Sequence, residues 1–203
     1  PVPDLANWII SDDALTYTFV LRADARWHDG TPVTTADVAY TIGLLQDAGF
    51  PGPADVALLW QAVEVNVVNE QAIEFKRPEP FAPFLDYTAF GLLPAHLLED
   101  VGASDLSAAG FNQAPVGSGP FRFVTLLGEA GEVSGVRLAG FPDYYGQPPL
   151  LEDVEFKFYP TFEAAFEAYQ AGEVLGLSRV DSARVTDALA LPQLGVYTTL
   201  RPE

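Results

Sequence analysis

Two histidines, one Gly-Ser-Gly step and a scatter of carboxylates are the residues of this chain whose types and spacing could do chemistry. His28 stands between Trp27 and Asp29, and a neighbouring carboxylate can orient an imidazole for proton transfer or for a metal. The other histidine, His96, lies far away in sequence, and neither belongs to an H-E-x-x-H pair. Both therefore read first as structural or hydrogen-bonding groups. Gly117-Ser118-Gly119 is not a G-x-S-x-G nucleophile turn, because Ser118 is flanked directly by glycines. It is not a phosphate loop either, because no Lys-Ser/Thr follows. Glycines just before a strand point to tight backbone geometry or a close chain approach. Asp12, Asp13, Glu152, Asp153, Glu155, Glu163 and Glu167 could supply the acid and base of a hydrolase. Asp12-Asp13 has the look of a turn, however, and Glu163 and Glu167 lie one helical turn apart, as on a solvated face. The sequence assigns no catalytic residue, no metal site and no cofactor.

The elements that would position these groups are legible in outline. Tyr17, Phe19 and Leu21 alternate with Thr16, Thr18, Val20 and Arg22, which predicts a half-buried strand over about 15–22. Trp27-His28-Asp29-Gly30 then forms a turn, since Asp-Gly favours positive φ, and Pro32 fixes the exit. Thr34-x-x-Asp37 has the spacing of a capping box at the start of a helix over 35–47. A short helix near 54–60 leads to a hairpin, Val63-x-Val65-x-Val67 against Ala72-Ile73-Glu74-Phe75, about Asn69-Glu70. Phe81, Phe84, Tyr87 and Phe90 recur every three residues through a proline-punctuated segment, and Pro94 opens a short helix through Leu98. The small, polar stretch 99–114 reads as a boundary. Beyond it strands are predicted near 120–127, 132–139 and 154–158, a helix over 162–171 capped by Thr161 and stopped by Gly172, a weaker helix near 181–190 and a strand near 194–200. Strands mixed with helices in this order predict layered α/β sheets.

Composition narrows the classes of function. Apolar residues make up 49% of 203, enough for a real core. Ten basic residues against 28 acidic give a formal charge of −18, which disfavours nucleic acid and anionic membrane as partners. There is no cysteine, so thiol catalysis and cysteine–zinc sites are excluded. No run approaches a transmembrane span. The N-terminus lacks the basic and long apolar parts of a signal peptide, and there is no Met anywhere in the chain. The chain therefore reads as a piece of a longer protein.

The strand, the W-H-D-G-T-P turn and the T-x-x-D-V-x-Y helix together resemble the extracytoplasmic solute-binding proteins, family 5, of peptide and nickel ABC importers. Pro115 to Phe121 resembles that family's P-V-G-T-G-P-Y segment. Asp143-Tyr144-Tyr145-Gly146 followed by Pro149-Leu150-Leu151-Glu152-Asp153-Val154 resembles its D-Y-W-G…P-x-L-D-x-V segment. Residues 163–173 resemble its A-x-x-x-G-E-x-D helix end, with Val174-Leu175 where an acidic step is expected.

The resemblance implies a mixed α+β fold, part of a periplasmic-binding-protein-like type II architecture. Residues 1–112 would form the smaller accessory domain of a first lobe and 113–203 part of its main sheet, with a second lobe beyond the chain. It implies capture of an oligopeptide, dipeptide or similar solute by lobe closure and delivery to the transmembrane subunits of an ABC permease. The location implied is periplasmic or extracellular, membrane-associated in the full-length protein. Segments matching 55–60 and 84–91 would face the cleft, which makes Trp60, Tyr87 and Phe90 candidates for a ligand wall; their spacing predicts core packing equally well. Gly117 and Gly119 would lie where the chain crosses between domains and act as a hinge. Two other classes stay open at this point: a hydrolase using paired carboxylates, and the sensing domain of a transcriptional regulator. Without a second lobe, weak or no solute affinity is expected.

Overall fold

The computed structural model describes residues 2–129, 131–191 and 195–197. The chain divides into two compact units, one of Pro1–Thr125 with Leu138–Val154 and one of Leu126–Arg137 with Glu155–Glu203.

The first unit is built on a four-stranded antiparallel sheet ordered β1-β2-β4-β3, from β1 (Ala6–Ile10), β2 (Thr16–Leu21), β3 (Glu64–Asn69) and β4 (Ala72–Lys76). The alternation seen in β2 sets its faces. Tyr17 and Phe19 pair with Phe75 and Ile73 across β4, and all four are buried. Two helices cover that face, α1 (Thr35–Gln46) with Val38 and Ile42, and α2 (Ala54–Gln61) with Trp60. A 3₁₀ helix, Ala82–Thr88, adds Phe84. Three residues per turn is the period of a 3₁₀ helix, which accounts for the spacing of Phe81, Phe84 and Tyr87.

Helix α1 begins where the capping box predicts. Thr34 is extended, its hydroxyl accepts from the helix start, and the Asp37 carboxylate accepts from the Thr34 N–H at 2.9 Å. The β3–β4 hairpin, α2 and the short α3 (Ala95–Leu98) also match their expected positions. Strand β1 is a difference. Ala6 and Trp8 are half-buried and Asn7 and Ile9 exposed, but Ile10 is exposed too, and the apolar run Trp8-Ile9-Ile10 hides this alternation in the sequence; the segment pairs along β2, with Trp8 set opposite Phe19. Asp12 and Asp13 fall in the β1–β2 turn, where Asp13 accepts from Ser11 Oγ at 2.5 Å and from the Leu15 N–H at 3.0 Å. Residues 99–114 hold two 3₁₀ turns, Leu106–Ala108 and Gly110–Gln113.

A second sheet orders β5 (Phe121–Leu127), β6 (Gly135–Gly140) and β7 (Asp153–Lys157). Strand β6 starts later than the expected 132 because the turn before it is longer. Gly128, at φ +147, packs against the Glu132 carbonyl with no room for a side chain, and the Ser134 N–H returns to Leu127 C=O at 2.8 Å. In the second unit α4 (Phe162–Gln170) is capped by Thr161, which accepts from the Ala164 N–H at 3.2 Å, and buries Phe166. A 3₁₀ turn (Ser182–Arg184) and α5 (Val185–Leu189) stand where the weaker helix is expected. The strand expected near 194–200 falls largely outside the described residues.

Candidate functional site

The first unit holds an apolar pocket of about 390 Å³. Leu5 and Trp8 from the β1 side, Phe19 and Phe75 from the sheet, Leu85 from the 3₁₀ helix, and Phe90 and Leu92 from the segment after it line it. Asp4 and Thr88 add polar side chains. Apolar walls with few fixed polar groups suit a site that holds varied small molecules.

The three wall candidates separate here. Phe90 lines the pocket. Tyr87 is 37% exposed and meets Phe81 at 6.0 Å between ring centroids, outside the pocket lining. Trp60 has no accessible surface: its ring is enclosed by Phe75, Phe84 and Phe90 at 5.4, 5.5 and 5.6 Å. Trp60 is thus packed in the core of the first unit. Any part it has in a wall is as the layer behind Phe90.

What fixes the segment carrying Phe90 is a carboxylate that the sequence shows only as a helix cap. Asp37 is 3% exposed. Its Oδ2 accepts from Trp27 Nε1–H at 3.2 Å and from the Thr34 N–H at 2.9 Å, and its Oδ1 accepts from the Ala95 N–H at 2.8 Å. One turn on, Thr41 Oγ1 accepts from the Leu93 N–H at 2.9 Å. Helix α1 thus holds the W-H-D-G turn on one side and residues 93–95 on the other. The signal in the sequence was the Asp at the third helical position, but its partner Ala95 is 58 residues away.

The turn itself carries His28 and the partner of His96. His96 Nε2 lies 2.7 Å from Asp29 Oδ2, and Asp29 Oδ1 accepts from the Thr31 N–H at 2.9 Å. Burial pushes the Asp29 carboxyl up, but the His96 and Thr31 donors outweigh it and hold it below the usual carboxylate range. His28 reaches the glycine segment instead. Its N–H donates to Gly117 C=O at 2.8 Å, its Nδ1 accepts from the Gly117 N–H at 3.1 Å, and its Nε2 lies 2.9 Å from Gly119 C=O. Nearby, Arg22 pairs with Asp24 at 3.1 Å and stacks over Tyr145, whose hydroxyl donates to Asp4 Oδ1 at 3.2 Å. Burial, with Asp4 and Tyr144 alongside, pushes the Tyr145 phenol well up.

The carboxylates that could have served a hydrolase are exposed: Asp12, Asp13, Glu152, Asp153, Glu155, Glu163 and Glu167. Among the described residues no group of three or more His, Cys, Asp or Glu is placed to hold a metal ion, and no helix is long and apolar enough to cross a membrane. An apolar pocket, a buried structural carboxylate and a turn tied to a glycine segment describe a binding scaffold.

The comparisons agree with that class. The model of the family described as bacterial extracellular solute-binding proteins, family 5 Middle, matches residues 1–202, and the chain belongs to that family. A Brucella ovis protein whose name assigns it to peptide binding in an ABC transporter is 34% identical over 176 residues, 85% of this chain and 32% of its own length. Among solved structures, NikZ from Campylobacter jejuni in complex with Ni(L-His) matches at 28% identity and a TM-score of 0.73, over 85% of this chain and 34% of NikZ. The oligopeptide-binding protein AppA from Bacillus subtilis, in complex with a nonapeptide, matches at 26% identity and a TM-score of 0.73, over 84% of this chain and 34% of AppA. The fold is mixed α/β, part of the type II periplasmic-binding-protein architecture. The chain spans about a third of the length of the curated relatives it matches (32% of the Brucella ovis protein). The family is one of extracellular solute-binding proteins.

Proposed function

We propose that this chain is part of the solute-binding component of an ABC importer, which holds a peptide or similar small solute between two lobes and hands it to the permease's transmembrane subunits. The observation that carries this reading is the family match along residues 1–202, joined to structural matches whose partners hold a nonapeptide in AppA and Ni(L-His) in NikZ. Residues 1–112 are the accessory domain of the first lobe in this reading, and 113–203 belong to its main sheet. Phe90 supplies apolar wall with Trp60 behind it, and Tyr87, outside the apolar pocket, supplies exposed wall toward the cleft. Gly117 and Gly119 bend as the lobes close. The protein works at the outer face of the cytoplasmic membrane and needs no cofactor. Closure follows from population shift: a solute that touches both lobes favours the closed state by the contacts only that state offers.

Small-angle scattering on the full-length protein tests this directly. With a saturating pool of short peptides the radius of gyration falls. A radius that stays constant with peptides, nickel chelates and other small solutes alike contradicts the closure mechanism.

A further inference from the structure

The W-H-D-G turn and the 117–119 segment belong to the same compact unit and are 89 to 91 residues apart in sequence where His28 joins them. A backbone N–H can only donate, so Nδ1 of His28 must hold a lone pair toward Gly117. A carbonyl can only accept, so Nε2 must carry the proton toward Gly119. The neutral Nε2–H tautomer alone satisfies both contacts. The ring lies flush on the backbone: a Cβ at Gly117 would sit 3.3 Å from His28 Cε1, tighter than ordinary contact. Phe141 meets the imidazole edge-on, 5.0 Å between ring centroids.

We propose that His28 is a positioning residue that pins Gly117 and Gly119 to the turn while its imidazole is neutral, and that a proton on Nδ1 releases the pin. The second proton would set one N–H against the Gly117 N–H, replacing an attraction by a repulsion and freeing the segment. The functional meaning rests on the hinge reading above; the pin itself is local and stands apart from it.

The environment sets the sense of the switch. Burial acts most strongly and disfavours the imidazolium; the Gly119 carbonyl favours it, Arg122 on β5 disfavours it, and Asp29 in the same turn favours it. Asp29 is itself engaged by His96 at 2.7 Å. The sum holds His28 below its ordinary value. The unfolded chain then takes up a proton before the folded one does. The pinned state is thus fully favoured above about pH 6.5, weakens as the pH drops beneath that value, and is lost through the lower folded-state midpoint.

Imidazole ¹⁵N NMR and amide hydrogen exchange on the full-length protein, from pH 8 to pH 4, test it. His28 should show the Nε2–H tautomer at pH 8 and a midpoint below about 6.5. The Gly117 amide, corrected for intrinsic exchange, should lose protection about tenfold or more through that midpoint. His28→Gln should remove the step, and His96→Gln, which removes the other histidine, should keep it. An Nδ1–H tautomer, no His28 titration down to pH 4, or Gly117 protection that stays flat through the His28 midpoint overturns the proposal. If the pin opens as described while scattering finds no solute-driven compaction at either pH, the pin stands and the hinge reading falls.

Discussion

Asp37 shows how one side chain can set the geometry of a site it does not enter. Three donors converge on its two oxygens, from Trp27, Thr34 and Ala95, and hydrogen bonds to an ionised acceptor are stronger than neutral ones. An asparagine of the same shape keeps one acceptor and turns an NH₂ toward at least one buried N–H. Asp37→Asn should therefore lower the apparent unfolding free energy by about 1–3 kcal/mol, read as a lower urea midpoint with an unchanged slope. A midpoint equal to that of the parent would show that these contacts carry no net stability. The same logic explains why Trp27, with 1% of its surface exposed, occupies the turn: it supplies a large apolar body to a small core with Ala25 and Val33 and one N–H aimed at the carboxylate.

At the scale of elements, the parts specified by near neighbours were legible and the parts specified by distant ones were not. Helix α1 begins where Thr34 and Asp37 say it must, because a capping box needs only four residues. Thr34→Ala should cost about 1 kcal/mol and Thr34→Ser much less, both read from urea midpoints; equal losses for Ala and Ser would contradict the capping role. The β3–β4 hairpin was equally plain, since its alternation and polar turn sit within a dozen residues. Strand β1 was hard to see because the apolar run Trp8-Ile9-Ile10 masks the alternation that its burial shows, and its pairing with β2 is not written in the segment itself. The aromatic run 81–90 gave its period but not its side: Phe84 turned inward to the core, Tyr87 stayed exposed and Phe90 reached the pocket. Trp60 could be wall or core from its spacing, and the three rings that enclose it come from residues no local pattern links to it. His28 was readable as a hydrogen-bonding residue of a corner. Its partners were not, because no local pattern links residue 28 to residues 117 and 119.

At the scale of the molecule, the chain belongs to the family of extracellular solute-binding proteins, and the task proposed for it is to hold cargo and let it go. The excess of acidic residues, −18 formal charges over 203 residues, disfavours anionic partners for this chain, while the apolar pocket supplies contact area. Nothing in that task needs bond chemistry. Native mass spectrometry of the full-length protein, loaded with short peptides and then released, measures this most directly. The account predicts a non-covalent complex of protein plus one intact solute, and a solute of unchanged mass after release. Recovery of cleaved or otherwise altered solute from the protein would contradict it.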